Sequence, residues 1–268
     1  MKIGVIGIGI VGDAIYKSFI NKCHRSDVII VGYDKFKNIG SFNDIVDTRI
    51  VFLCLPTLYS HELSSYDKSA IHEICDQLSK ISYNGLVVIK STVEPTTSQQ
   101  IADMYNLSVA HNPEFLTART AYEDFHDQKH IIIGFTKQAK SEHSDSLVNF
   151  YKTYYPNADI SICTSTESEA VKIFCNNFYS VKIQFFNELY LLCQKLGINY
   201  EVIKNTMLKN GWINPMHTIV PGTDGKLSYG GMCFPKDTSA LLSLMKLVGS
   251  PHQVLEATIT ERKSLRDD

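Results

Sequence analysis

The sequence predicts an α/β protein: a doubly wound parallel sheet over residues 1–164, then an all-helical domain over residues 165–268 with one long helix. Three observations predict it. Short Val-, Ile- and Leu-rich runs alternate with helix-length segments up to Cys163, as in a parallel sheet covered on both faces. The alternation then stops, and no Gly or Pro occurs from Asn157 through Leu196. Finally, a glycine-rich turn joins the first strand to the first helix at residues 7–12.

The expected strands are Lys2–Ile6, Val28–Tyr33, Ile50–Leu55, Leu86–Lys90, Leu107–Ala110, Ile131–Gly134 and Asp159–Cys163. Helices are expected near 11–23, 67–81, 95–104 and 137–152. Thr166-Glu167-Ser168-Glu169 reads as a capping box that opens a helix running to Gly197. Such a helix has ~30 residues and a length of roughly 45 Å. Its apolar residues (Ala170, Val171, Ile173, Phe174, Phe178, Val181, Phe185, Phe186, Leu189 and Leu192) lie on nearly every side, so something must bury it. Helices near 199–208, 236–248 and 251–266 follow, with a glycine-rich loop at 210–234.

The 268 residues are 44% hydrophobic and 20% charged, which excludes a disordered or fibrous chain. Lys+Arg is 26 against Asp+Glu 28, so a protein that neutralises many phosphates is excluded and no nucleic-acid partner is expected. No run reaches the ~18 apolar residues of a membrane span. The seven cysteines are odd in number and contain no C-x-x-C pair, which suits a reducing, cytoplasmic location with most thiols buried. The first apolar run is interrupted by glycines and Asp13 and is not read as a signal peptide.

Gly7-Ile8-Gly9-Ile10-Val11-Gly12 is G-x-G-x-x-G in strand–turn–helix context, a Rossmann-like dinucleotide signature. Gly7 permits the turn, Gly9 lets the backbone approach a pyrophosphate, and Gly12 lets helix and strand pack closely. Ile10 and Val11 carry the phosphates' helix N-terminus. Asp34 follows Gly12 by 22 residues and ends the second strand; its carboxylate suits ribose hydroxyls and repels a 2′-phosphate. NAD is the expected cofactor, with FAD an alternative.

Gly230-Gly231-Met232-Cys233-Phe234-Pro235-Lys236-Asp237 places a thiol just before a helix, where its thiolate is stabilised. The spacing alone leaves open a cysteine that is merely buried in a loop. Lys172, Asn176 and Ser180 are four apart on the long helix, with Asn187 near their stripe. They either face a ligand or pair with other protein groups.

With Lys90-Ser91-Thr92-Val93, Asn112-Pro113-Glu114-Phe115-Leu116, Glu169-Ala170-Val171-Lys172 plus Asn176, and Phe186-Asn187-Glu188-Leu189, these motifs stand in one order along essentially the whole chain. In that order the chain resembles the nucleotide-sugar dehydrogenases, the UDP-glucose and GDP-mannose 6-dehydrogenases. The resemblance implies oxidation of a sugar primary alcohol, UDP-glucose being the expected substrate, to the carboxylate by two hydride transfers to NAD+. Cys233 would attack the intermediate aldehyde, giving a thiohemiacetal and then a thioester. Lys172 and Asn176 would stabilise the oxyanion. Asp237 would assist the lysine and the hydrolytic water, Thr92 would position water, and Glu114 would act in hydrolysis. Pro56, Thr57, Ser91, Thr92 and Lys236 are implied at the cofactor. Glu114, Phe115, Leu116, Lys172, Asn176, His217 and Gly230 are implied at the substrate. No metal is implied.

The resemblance further implies a homodimer through the helix at 166–196 and a place in supplying polysaccharide precursors. Two departures stand out. The family's second glutamate, four residues after Glu114, is Ala118 here. Full members continue into a third domain that holds the nucleotide, whereas this chain stops at Asp268, so a weak grip on the base is expected. A β-hydroxyacid-type dehydrogenase is the alternative within the fold, disfavoured because such enzymes need no cysteine. A catalytically weak NAD-binding protein of this fold is the other alternative.

Overall fold

The computed structural model describes residues 1–24 and 27–268. The chain divides into two compact units: Met1–Leu58 with Tyr66–Lys172, and Tyr59–Ser65 with Ile173–Asp268.

The first unit holds β1 (Lys2–Ile6), α1 (Ile10–Cys23), β2 (Ile29–Tyr33) and β3 (Ile50–Leu53). A two-residue ribbon, β4 (Tyr59–Ser60) with β5 (Ser65–Tyr66), interrupts it. It continues through α2 (Ser69–Lys80), β6 (Leu86–Ile89), α3 (Thr97–Tyr105), β7 (Ser108–His111), α4 (Ala121–His126), β8 (His130–Phe135), α5 (Ser141–Tyr154) and β9 (Asp159–Thr164). The sheet order is β2-β1-β3-β6-β7-β8-β9. Every residue of β3, β6 and β7 is buried, as strands covered on both faces require. One face packs an aromatic core of Phe19, Phe52, Phe125, Phe150 and Tyr151; the other packs Ile71, Leu78, Ile101 and Leu107 from the α2 and α3 side.

The sheet is not wholly parallel, which corrects the sequence reading. β8 runs antiparallel to β7, with His111 opposite Gly134, and β9 then runs parallel to β8. A parallel return needs a crossover helix that spans the sheet. The helix available is α4, which has six residues and rises only about 9 Å.

α6 (Ser165–Leu196) begins in the first unit and continues into the second, followed by α7 (Tyr200–Leu208), α8 (Phe234–Leu247) and α9 (Gln253–Leu265). Phe186, Cys193, Tyr200 and Val220 form the second unit's core, and Tyr59 joins it through a 2.8 Å hydrogen bond to Ser243. No helix among the described residues is long and apolar enough to cross a membrane.

α6 is inverted. Ser168, Glu169, Lys172, Asn176, Asn177, Ser180, Gln184 and Asn187 are buried, while Phe174, Phe178, Phe185 and Leu192 are each at least half exposed. Its capping box also differs from expectation. Thr164, not Thr166, accepts from the Glu167 N–H, and Glu167 reaches back to the Thr164 N–H at 2.8 Å. Glu169 is thereby released for another partner, described below.

Candidate active site

In the first unit the glycine turn has the shape a pyrophosphate needs. Gly7 has φ +86°, and a Cβ there would sit 2.5 Å from the Cys54 carbonyl oxygen. A Cβ on Gly12 would meet the Gly7 carbonyl at 1.8 Å, so this close packing of helix on turn requires glycine. A Cβ on Gly9 would meet nothing within 4 Å, and no side chain caps α1. Ile10 and Val11 form α1's first turn, leaving its N–H groups for an anion. These features fit a dinucleotide.

Asp34 ends β2. One carboxylate oxygen accepts from the Ile8 N–H at 2.9 Å, the other from the Phe36 and Lys37 N–H groups at 3.0 Å. Burial works to raise its pKa, but these donors and the Lys37 charge outweigh it, so the carboxyl lies below its ordinary range. Lys37, which the sequence reading did not single out, places its ammonium on the Ile8 carbonyl at 2.5 Å.

The loops after β3 and β6 are tied together. The Ser91 hydroxyl donates to the Leu55 carbonyl at 2.6 Å and accepts from the Leu55 N–H at 3.0 Å. Thr57, next to Pro56, donates to the Thr92 carbonyl at 2.8 Å. Lys90 is buried, and its ammonium donates to the Asn112 side-chain oxygen at 3.0 Å and to the Pro113 carbonyl at 3.2 Å. Burial pulls the Lys90 pKa down to about 8. The clamp fixes the turn that presents Glu114.

Glu114 accepts from the Leu116 N–H at 2.6 Å and stands 3.3 Å from the Lys172 ammonium. That ammonium also lies 4.9 Å over the Phe115 ring. Lys172 is set by the turn before it. Ser168 contacts buried His111 at 2.8 Å, and Glu169 accepts from the Thr96 and Ser98 N–H groups at 2.7 Å, capping α3. Burial pushes the Glu169 carboxyl up to about 7, with its hydrogen bonds opposing. Ala118 is exposed in a short 3-10 turn.

In the second unit the exposed Cys233 precedes α8 as its N-cap residue, with Pro235 in the first turn. The Asp237 N–H donates to the Cys233 carbonyl at 3.0 Å. Asp237 is fully buried and accepts from the Asn176 amide at 2.6 Å and from Lys236 at 2.6 Å. Asn177 donates to the Asp237 carbonyl at 3.1 Å. Lys236 therefore reaches a carboxylate in the second unit. Ser180 and Asn187 make structural pairs: Ser180 bonds the Asn176 carbonyl, and Asn187 accepts from the Ser228 N–H. His217, at φ +67°, contacts the Tyr179 ring at 4.8 Å and the Phe234 ring at 5.8 Å.

The site residues thus fall into two groups: Glu114, Phe115 and Lys172 in the first unit, and Cys233, Asn176, Lys236 and Asp237 in the second. Lys172 and Asn176 are one turn apart on α6.

Two models of the UDP-glucose/GDP-mannose dehydrogenase family match the chain, the NAD binding domain over residues 35–155 and the central domain over 166–262. A UDP-glucose 6-dehydrogenase from Rickettsia bellii is 32% identical over 239 residues, covering 86% of this chain and 53% of that protein. The chain therefore spans about half the length of the curated relatives it matches. A UDP-glucose dehydrogenase structure from Pyrobaculum islandicum superposes with a TM-score of 0.84 at 24% identity, over 98% of this chain and 68% of that one. A 3-hydroxyisobutyrate dehydrogenase from Mycobacterium tuberculosis superposes at 0.73 with 13% identity, over 97% and 91%. Likeness at these identities establishes a common fold.

Proposed function

Since the chain belongs to the UDP-glucose/GDP-mannose dehydrogenase family and carries its NAD binding domain, we propose that it is an NAD-dependent nucleotide-sugar 6-dehydrogenase. The substrate is a UDP-sugar, UDP-glucose first, whose primary alcohol becomes a carboxylate. One observation carries the reading: an exposed cysteine stands at the start of α8, one turn before a buried aspartate gripped by Asn176. A β-hydroxyacid dehydrogenase has no use for that thiol.

Gly7–Gly12 and Asp34, with Pro56, Thr57 and Ser91, would hold NAD, which would supply the hydride acceptor for both oxidations. Cys233 adds to the aldehyde carbon to give a thiohemiacetal, the second hydride loss converts that to a thioester, and water opens the thioester to free the thiol and the carboxylate. Lys172 and Asn176 donate to the oxyanion that develops on the sugar carbon. Glu114, paired with Lys172, takes the proton of the hydrolytic water, which Thr92 holds. Asp237 accepts one N–H of the Asn176 amide and so keeps the amide aimed, leaving its second N–H as the donor to the oxyanion. Phe115, Leu116, His217 and Gly230 line the sugar side.

The working protein is a cytoplasmic homodimer joined along the exposed aromatic stripe of α6, and its product feeds polysaccharide assembly. Residues 1–164 and 165–268 are its cofactor and catalytic domains.

Counting NADH released per sugar, with a panel of UDP- and GDP-sugars, tests the reading. Two NADH per sugar is the expected stoichiometry. One NADH indicates a simple alcohol dehydrogenase, and NAD binding without turnover indicates a binding protein.

A further inference from the structure

The segment leading to Cys233 is gripped from behind by the end of α9. Arg266 is nearly buried, and its guanidinium donates to Asp224 at 2.6 Å and to both carboxylate oxygens of Asp268. It lies against Gly230 so closely that a Cβ there would be 2.1 Å from the guanidinium carbon. A long side chain ordinarily swings away from such a contact, but two carboxylates hold this one. One turn earlier, Arg262 donates to the Tyr229 carbonyl at 2.9 Å and stands 5.4 Å from the centre of the Tyr229 ring. Lys226 adds a 3.0 Å ion pair to Asp268.

Asp224, Lys226, Tyr229 and Gly230 are therefore tied to the end of α9 and the residues after it, while Ser228 between them is held by Asn187 and Gln184 of α6. At Gly231, with φ +75°, a Cβ would meet nothing within 4 Å. Gly231 is the pivot between the gripped segment and Cys233, whose carbonyl is fixed on its other side by the Asp237 N–H. Burying two guanidinium groups carries a desolvation cost, which among the described residues is compensated by bonds to this segment and to Asp268.

We propose that Arg262 and Arg266 are positioning residues for Cys233. They set the backbone at 224–230, and through the Gly231 pivot they set where the thiol stands at the start of α8. Neither needs to touch substrate. The inference rests on the proposed chemistry of Cys233, so its test includes one readout that requires turnover and one that does not.

Arg266→Ala and Arg266→Lys are made in the full chain. The measurements are kcat and KM for sugar oxidation, the rate of iodoacetamide alkylation at the Cys233 peptide, and the melting temperature. In Arg266→Ala, kcat falls by about ten- to hundred-fold with a much smaller change in KM for NAD, as slight misplacement of a reacting group produces. Alkylation of Cys233 changes by roughly three-fold or more while that of Cys163 does not. Arg266→Lys restores neither, because an ammonium cannot fork between Asp224 and Asp268. Gly230→Ala lowers kcat in the wild-type background and costs less in Arg266→Ala, where the clashing group is gone.

Wild-type kcat and wild-type Cys233 alkylation in Arg266→Ala overturn the proposal. So does a Gly230→Ala cost that is equal in both backgrounds. If Arg266→Ala fails to fold, Asp224→Asn removes one anchor at a half-exposed position and shifts both readouts in the same direction; no shift there overturns the proposal. A wild-type protein that forms no NADH defeats the functional reading alone, and the alkylation measurement still decides whether Arg266 positions Cys233.

Discussion

The Asn176 amide donates to the Asp237 carboxylate at 2.6 Å, across 61 residues of sequence, and Asp237 is fully buried. The pair holds α6 to the first turn of α8. Asn176→Ala leaves the carboxylate to Lys236, a loss of about 1.5–3 kcal/mol for a hydrogen bond to a charged group. Turnover falls about 100-fold or more if the same amide also serves the oxyanion. Urea unfolding and initial rates report the two effects separately, and unchanged stability would sink the structural half.

Cys233→Ser stops the reaction after the aldehyde, since a hydroxyl at this helix start is a far weaker nucleophile at neutral pH. NAD affinity stays at its wild-type value because the glycine turn and Asp34 lie in the other unit. Carboxylate release by mass spectrometry is the check; acid production at the wild-type rate would remove Cys233 from the mechanism.

Asp34 is expected to make the protein NAD-selective. Its carboxylate is held ionised by three backbone N–H groups, and a 2′-phosphate brought beside it is repelled. Lys37 moderates the repulsion from nearby, so selectivity of roughly ten-fold is expected, about 1.4 kcal/mol. Dissociation constants for the two dinucleotides measure it, and equal values refute it.

Glu169 gives stability a pH dependence of defined sign. Its folded pKa is raised to about 7, so the folded state binds the proton more tightly than the unfolded state does. Its contribution is fully present below the ordinary carboxyl range and is lost as pH rises through 7. Wild-type unfolding free energy therefore declines between about pH 4.5 and pH 7 relative to Glu169→Gln and levels off above that, a difference in which the histidines' contributions cancel. Parallel curves for the two proteins would contradict the assignment.

The exposed stripe of Phe174, Phe178, Phe185 and Leu192 is the surface expected to form the proposed dimer seam. Phe178→Glu converts the protein to a monomer by light scattering at micromolar concentration. A wild-type protein already monomeric there disproves the seam.

Much of the first unit was legible because each element's local pattern agreed with its place. The burial of β3 and β6, the turn at Gly7 and the acid at Asp34 follow from residue type and spacing. The reversal at β8 was not legible, because strand direction depends on the path of the crossover and not on the strand's own residues. α6 misled for a different reason. Its apolar and polar positions are both plain, but a sequence shows periodicity without saying which side faces inward, and here a polar stripe is buried along with Ile173, Phe186 and Cys193. The Thr166 capping box failed by competition: Thr164 and Glu167 offer the same chemistry two residues earlier, and Glu169 has better donors at Thr96 and Ser98. Arg262 and Arg266 carried no signal, since paired basic residues near a helix end ordinarily face solvent.

The cap that Glu169 places on α3 also bears on the order in which the molecule is made. Thr96 stands in a left-handed conformation, φ +84°, at the head of α3, and no side chain from its own neighbourhood caps that helix. The carboxylate that does so arrives 71 residues after Ser98. A nascent chain that has emerged only through the last strand carries a sheet whose third helix begins with unanswered N–H groups, and the next helix to emerge answers them. A fragment ending at residue 164 should consequently exchange the Ser98 amide rapidly with deuterium, whereas the same amide in the 268-residue protein should be protected.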